Sequence, residues 1–222
     1  MGQKVHPLAF RTTAQKPWGW KNIFYSKKKN YPDIFFETEK LRKFIESALY
    51  YRHQYVTTDI IISHLEKEIK IFIYLLENKS KNKQQKVPLN NHTLKALATE
   101  LKNLTNKKVE LIIKPKKQNS LKAKAIAYWI TRDLENYTKV NTSLNRILKH
   151  VTALKKTSLT NLRGIKIQCS GRLNGIDRAK KLTVKRGNMP LQTFNATIDY
   201  CQYNAHTIHG VIGIKVWLCW KN

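Results

Sequence analysis

Between Gly19 and Gly164 the chain has no glycine. Left-handed backbone and very close backbone packing come cheaply only to glycine, so this stretch is limited to helices, strands and loops that ordinary residues can make. All eight glycines fall at Gly2, Gly19 or from Gly164 onward. Any backbone device that needs positive φ, or that lets a phosphate lie against the main chain, is therefore expected in the C-terminal part.

Charge sets the second limit. The chain carries 42 Lys and Arg against 14 Asp and Glu, a formal +28 over 222 residues. So many like charges in one body repel one another unless a polyanion neutralises them. Nucleic acid is the usual polyanion, since each phosphate contact releases counterions. A membrane surface is the competing explanation, but the basic residues run along the whole chain, and no apolar run approaches the roughly 20 residues that a spanning helix needs. A hydrophobic fraction of 41% is enough for a true core. Cys169, Cys201 and Cys219 lack CxxC spacing, which argues against a zinc knuckle and a disulfide framework and for free thiols in a reducing compartment. The N-terminus shows neither a secretory apolar region nor an Arg/Ser-rich amphipathic presequence, so synthesis in the compartment of use is expected. Lys outnumbers Arg 33 to 9 and Asn occurs 18 times, a bias typical of AT-rich coding.

Residues 1–37 read as a basic, aromatic, extended arm, with Pro7, Pro17 and Pro32 interrupting it and Trp18, Trp20, Phe24 and Tyr25 set among lysines. Aromatics beside cations can stack on bases and hold phosphates, or can simply dock the arm. Residues 38–115 read as helix, strand, strand, helix, strand. A helix starts at Thr38 as cap, with Leu41, Phe44, Ile45, Ala48 and Leu49 at helical spacing. Strands are expected over 59–65, 69–76 and 109–113, and a second helix after Pro88. Residues 116–222 begin with two helices, one with Ala123, Ile126, Ala127, Ile130 and Leu134 on a face, the other over 143–156. Strands over 165–170, 180–186, 193–203 and 211–220 follow. The fold class is α+β: a small one-sheet unit, then a domain of two helices on a mostly antiparallel sheet.

Enzyme signatures are weak. Glu66 and Glu68 would share a strand face like a metal-binding pair, but Lys67 and Lys70 interleave and favour an exposed charged strand. His206 and His209 lack a nearby carboxylate, His92 and His150 are isolated, and no P-loop, HExxH or GxSxG occurs. No cofactor and no metal is expected.

Several blocks are recognisable. Met1-Gly-Gln-Lys-Val-His-Pro7, Gly164-Ile-Lys-Ile-Gln-Cys-Ser-Gly-Arg-Leu-Asn-Gly175, Met189-Pro-Leu-Gln-Thr193, Ala196-Thr-Ile-Asp-Tyr200 and Ala205-His-Thr-Ile-His-Gly-Val-Ile-Gly-Ile-Lys-Val-Trp217 stand in that order. Together they resemble the bacterial- and plastid-type family of small-subunit ribosomal protein S-three. The resemblance implies an N-terminal KH domain of prokaryotic type followed by an α/β domain. It also implies a place in the subunit head near the side where mRNA enters, on 16S-type rRNA, with ribosomal proteins S-ten and S-fourteen and mRNA as neighbours. The function expected is a non-enzymatic structural constituent of the ribosome, in a plastid in preference to a bacterial cytoplasm. A metal-dependent nuclease and an extraribosomal RNA-binding regulator are the alternatives.

Two departures qualify the resemblance. A KH domain clamps a single strand with a GXXG loop, yet Lys79-Ser-Lys-Asn-Lys-Gln-Gln-Lys86, where that loop belongs, has no glycine. A KH-like scaffold with a degenerate clamp is expected. The family's basic cluster at the turn between the two long helices is replaced by Asn141-Thr-Ser-Leu-Asn145, with only Lys139 and Arg146 near. RNA contacts are expected from Lys4, His6, Arg11, Lys16, Trp18, Trp20, Lys27, Lys28 and Lys29 in the arm. In the C-terminal domain they are expected from Arg163, Lys166, Arg172, Arg178, Lys180, Lys181, Lys185 and Arg186. There, Ser170-Gly171-Arg172 would close a strand and aim Arg172 at a phosphate.

Overall fold

The computed structural model describes residues 5–11, 31–53, 55–65, 68–76, 91–105, 107–115, 122–156 and 161–221. The chain divides into two compact units, one formed by residues 16–116 and the other by residues 1–15 with 117–222.

In the first unit the order is α1 (Tyr31–His53), β1 (Val56–His64), β2 (Glu68–Leu76), α2 (Asn91–Thr105) and β3 (Lys108–Pro115). Helix α1 starts at Tyr31, not at Thr38, and takes in the end of the expected arm. Pro32 falls in its first turn, where a missing N–H costs nothing. Thr38 is accordingly no cap. It is buried in the helix, its hydroxyl donating to the Ile34 carbonyl at 2.6 Å and lying 2.8 Å from Nε2 of His64. β2 is central, antiparallel to β1 and parallel to β3, with α2 as the crossover. One sheet face carries Ile60, Ile62, Ile69, Ile71 and Ile73 against Leu41, Ile45, Ala48 and Leu49 of α1 and Leu97 and Leu101 of α2. This is the KH-like arrangement. Leu104, spaced to follow Leu97 and Leu101 along α2, is exposed. β3 runs on through Pro115, which pairs with Leu75 at the strand's end, where a missing donor is tolerated.

In the second unit α3 (Ala123–Glu135) and α4 (Val140–Lys156) precede β4 (Leu162–Gly171), β5 (Lys180–Gly187), β6 (Ile198–Thr207) and β7 (Gly210–Trp220). The sheet order is β5-β4-β7-β6 and every neighbouring pair is antiparallel. All five apolar positions read from the sequence of α3 are buried, together with Leu144, Ile147, Leu148 and Val151 of α4 and Ile165, Ile167, Ile214, Val216 and Leu218 of the sheet. Lys122, at the N-cap of α3, gives no side-chain cap; Asp199 from β6 does so instead, its Oδ2 accepting the Ala123 N–H at 2.8 Å.

The turn between α3 and α4 spans 136–139, so Asn141–Asn145 lies within α4 rather than in the turn. Its left-handed residue is Tyr137, at φ 58°, a position that usually goes to glycine in a chain that has one to spare. Arg146 pairs with Asp133 at 3.1 Å, and the buried Ser143 donates to the same carboxylate at 2.8 Å.

Candidate nucleic-acid interface

Side chains alternate across a pleated sheet, so the register fixes which residues share the face opposite α3 and α4. Reading β5-β4-β7-β6, one row is Lys185, Lys166, Trp217 and Tyr200. The next is Thr183, Gln168, Lys215 and Gln202, and the third is Lys181, Ser170, Gly213 and Asn204. The grid holds four lysines, amides and hydroxyls, and no carboxylate. The unit's four acidic residues are all engaged elsewhere: Asp133 and Asp199 as described, Glu135 by accepting the His206 N–H, and Asp177 beside Arg172.

One end of this face is closed. Met189, Ala196, Ile198, Trp217 and Cys219 form a small core there. Residues 5–11 complete it: Phe10 stacks on Phe194 at 4.3 Å and His6 meets the Tyr200 ring edge-on at 4.9 Å. Burial holds the His6 pKa below its ordinary value. The Lys166 ammonium lies 5.0 Å from the Trp217 ring centre, a cation–π contact at the margin of the closed end. Beyond that margin Lys181, Thr183, Lys185, Gln202 and Asn204 are open to solvent.

The expected site residues separate into five groups. Lys166, Lys181 and Lys185 come together on the open face. Lys180 and Arg186 are on the same edge strand and are exposed, but their registers with Gly171 and Ile165 put them on the helix side; Arg163 and Arg178 are exposed near the strand ends. Arg172 is exposed but turned inward along its own loop, with Nε donating to the Ile176 carbonyl at 3.1 Å and the guanidinium 3.5 Å from Asp177. Arg11 is corrected outright. It is 1% exposed, and its guanidinium donates to the carbonyls of Leu191 (2.6 Å), Thr193 (3.0 Å) and Pro7 (2.9 Å), fastening the N-terminal residues to the loop before β6. A buried guanidinium is tolerated where its nitrogens find acceptors, as Nε, Nη1 and Nη2 of Arg11 each do, and at 1% exposure it does not reach a phosphate. Lys4, Lys16, Trp18, Trp20, Lys27, Lys28 and Lys29 lie outside the described residues, as does the segment Lys79–Lys86.

The register adds Lys215, which sequence reading passed over as a lone lysine in an apolar strand. Cross-strand pairing with Gln168 and Gln202 places it at the centre of the grid.

Glu68 pairs with Lys108 at 3.1 Å, and Glu66 lies outside the described residues. Among the described residues no group of three His, Cys, Asp or Glu could hold a metal ion, and no helix is long and apolar enough to cross a membrane. Cys169 is buried and its pKa is pushed up to about 11, which keeps the thiol protonated and unreactive.

A basic chain with a cationic, carboxylate-free sheet face has the build of a polyanion-binding protein. Comparison narrows the class. Residues 130–218 match the family described as Ribosomal protein S3, C-terminal domain. Small ribosomal subunit protein uS3 of Caldanaerobacter subterraneus subsp. tengcongensis is 35% identical over 98% of this chain and 91% of its own length. The uS3c protein of Gracilaria tenuistipitata var. liui is 34% identical over 98% and 94%, and the uS3 protein of Orientia tsutsugamushi (strain Ikeda) 33% over 98% and 94%. The chain belongs to the uS3 family.

Proposed function

We propose that this protein is a structural, non-enzymatic constituent of the small ribosomal subunit that binds rRNA through the open sheet face of its C-terminal unit. The observation that carries this is similarity to uS3 proteins at 33–35% identity over 98% of the chain. The face supplies the chemistry. Lys166, Lys181, Lys185 and Lys215 neutralise phosphates, while Gln168, Gln202, Thr183 and Asn204 hydrogen-bond to sugar and phosphate oxygens. Arg163, Arg178, Lys180 and Arg186 extend the positive surface around its edge, and His6, with Lys4, Lys16, Trp18, Trp20, Lys27, Lys28 and Lys29 of the sequence before Tyr31, supplies further RNA contacts. The finer placement is the subunit head, near where mRNA enters and beside proteins S-ten and S-fourteen. It rests on the family blocks at Met1–Pro7 and Gly164–Trp217. Relatives come from bacteria and from plastids alike; the excess of Lys over Arg and the many Asn favour a plastid.

Sucrose-gradient fractionation of a low-salt lysate tests the reading. The chain should sediment with small subunits and leave them as salt is raised. A chain that stays at the top of the gradient at low salt would sink it.

A further inference from the structure

Helix α1 buries Ile34, Thr38, Leu41, Ile45, Ala48 and Leu49 against the sheet. Its opposite side carries an exposed stripe at helical spacing: Phe36, Lys40, Lys43, Ser47 and Tyr50, with Tyr51 beside the last. Phe36 is 62% exposed, Tyr50 48% and Tyr51 80%. Of the acids beside the stripe, Glu37 pairs with Lys107 at 3.9 Å and Glu39 with Arg42 at 3.8 Å, while Asp33 and Glu46 flank it one turn from Phe36 and Tyr50. Among the described residues no ion pair engages Lys40 or Lys43.

Three large aromatics on the solvent side of a helix mark a contact surface. The lysines between them decide the partner. Lys is depleted from the cores of protein interfaces, whereas aromatic rings alternating with cations match a strand that offers flat apolar bases and anionic phosphates by turns. A helix rises about 1.5 Å per residue, so Phe36 and Tyr50 stand about 21 Å apart, room for several nucleotides.

We propose that this stripe is a second RNA-binding surface, a stacking platform for unpaired nucleotides. Phe36, Tyr50 and Tyr51 stack on bases, and Lys40 and Lys43 hold the phosphates between. The proposal rests on the reading that the chain works on RNA in the small subunit. It needs no glycine, unlike a clamp made of backbone amides, so it suits a unit whose connection at Lys79–Lys86 has none.

The test uses the full-length chain, a single-stranded oligouridylate and an RNA duplex as probes. Phe36→Ala with Tyr50→Ala and Tyr51→Ala should weaken oligouridylate binding about tenfold or more, at unchanged helix content and with little change for the duplex. Tyr50→Phe with Tyr51→Phe should keep the affinity, because stacking uses the ring. Lys40→Gln with Lys43→Gln should flatten the log–log salt dependence by about 1.4. Ultraviolet irradiation of gradient-purified small subunits should cross-link Tyr50 or Tyr51 to RNA. The proposal is overturned by unchanged oligouridylate affinity in the folded alanine variant, or by cross-links from these tyrosines to protein alone. Either result leaves sedimentation with the small subunit, and so the ribosomal reading, intact.

Discussion

Each unit covers one face of a sheet with two helices and leaves at least part of the other face open, yet the two open surfaces differ in charge. In the KH-like unit that face holds Asp59, Ser63 and Tyr74, an apolar row of Ile61, Phe72 and Ile112, and Lys70 paired to Glu110 at 3.5 Å. In the C-terminal unit it holds four lysines and no acid. Residues 16–116 have 21 basic and 10 acidic residues; residues 1–15 and 117–222 have 21 basic and 4 acidic. The numbers of cations are therefore equal, and what separates the units is where the acids stand. A lysine beside a carboxylate on a neighbouring strand is already neutralised; a lysine in a row of amides is available to a phosphate. Cation count is thus a poor guide to an RNA-binding surface, and carboxylate placement a better one.

The comparison can be broken most readily by reversing charge. Lys166→Glu with Lys185→Glu and Lys215→Glu should weaken rRNA binding in a filter assay by about a hundredfold or more at ~0.1 M salt. Lys70→Gln in the other sheet should leave it nearly unchanged. Equal losses from both would erase the distinction. Arg11→Ala should act on stability instead, costing about 2–3 kcal/mol in denaturant unfolding, because the carbonyls of Leu191, Thr193 and Pro7 lose their donor inside the protein. Its effect on the salt dependence of RNA binding should be slight. Glu110→Gln removes only an exposed ion pair, and a change below about 0.5 kcal/mol is expected. The smallest effect concerns pH. Burial lowers the folded pKa of His6, so the unfolded chain binds its proton more readily; this contribution to stability is complete above the ordinary value near 6.5 and declines as pH falls below it. His6→Gln should flatten that slope in melting curves taken between pH 5 and 7.

Periodicity made much of the fold legible before any coordinates. The apolar stripes of α3 and α4 and the alternating strands of the sheet follow directly from residue spacing. Boundaries were less readable where polar or proline-bearing residues hold a local role. Pro32 looked like an interruption and is a helix start, and the strand expected from Thr193 begins at Ile198 because residues 188–197 wrap the small core around Met189 and Ala196. The site was harder. A single strand shows Lys215 among apolar neighbours and gives no reason to notice it; only the pairing of β7 with β4 and β6 sets it among Gln168 and Gln202. Arg11 shows the opposite failure, since a basic residue in a basic segment carries no mark of being enclosed.

The clasp made by Arg11 joins residues 182 apart in sequence, Arg11 and Thr193. On a translating ribosome, at about 5–20 residues per second, the start of the chain therefore waits about ten seconds or more for the stretch that will receive it. The KH-like unit has all its strands long before then, so it can form first while the opening segment stays undocked. The C-terminal body closes last, and a chain cut short before Thr193 leaves a buried-type guanidinium and the aromatic ring of Phe10 without their seat. The opening segment thus finds its seat only after the loop before β6 has been made.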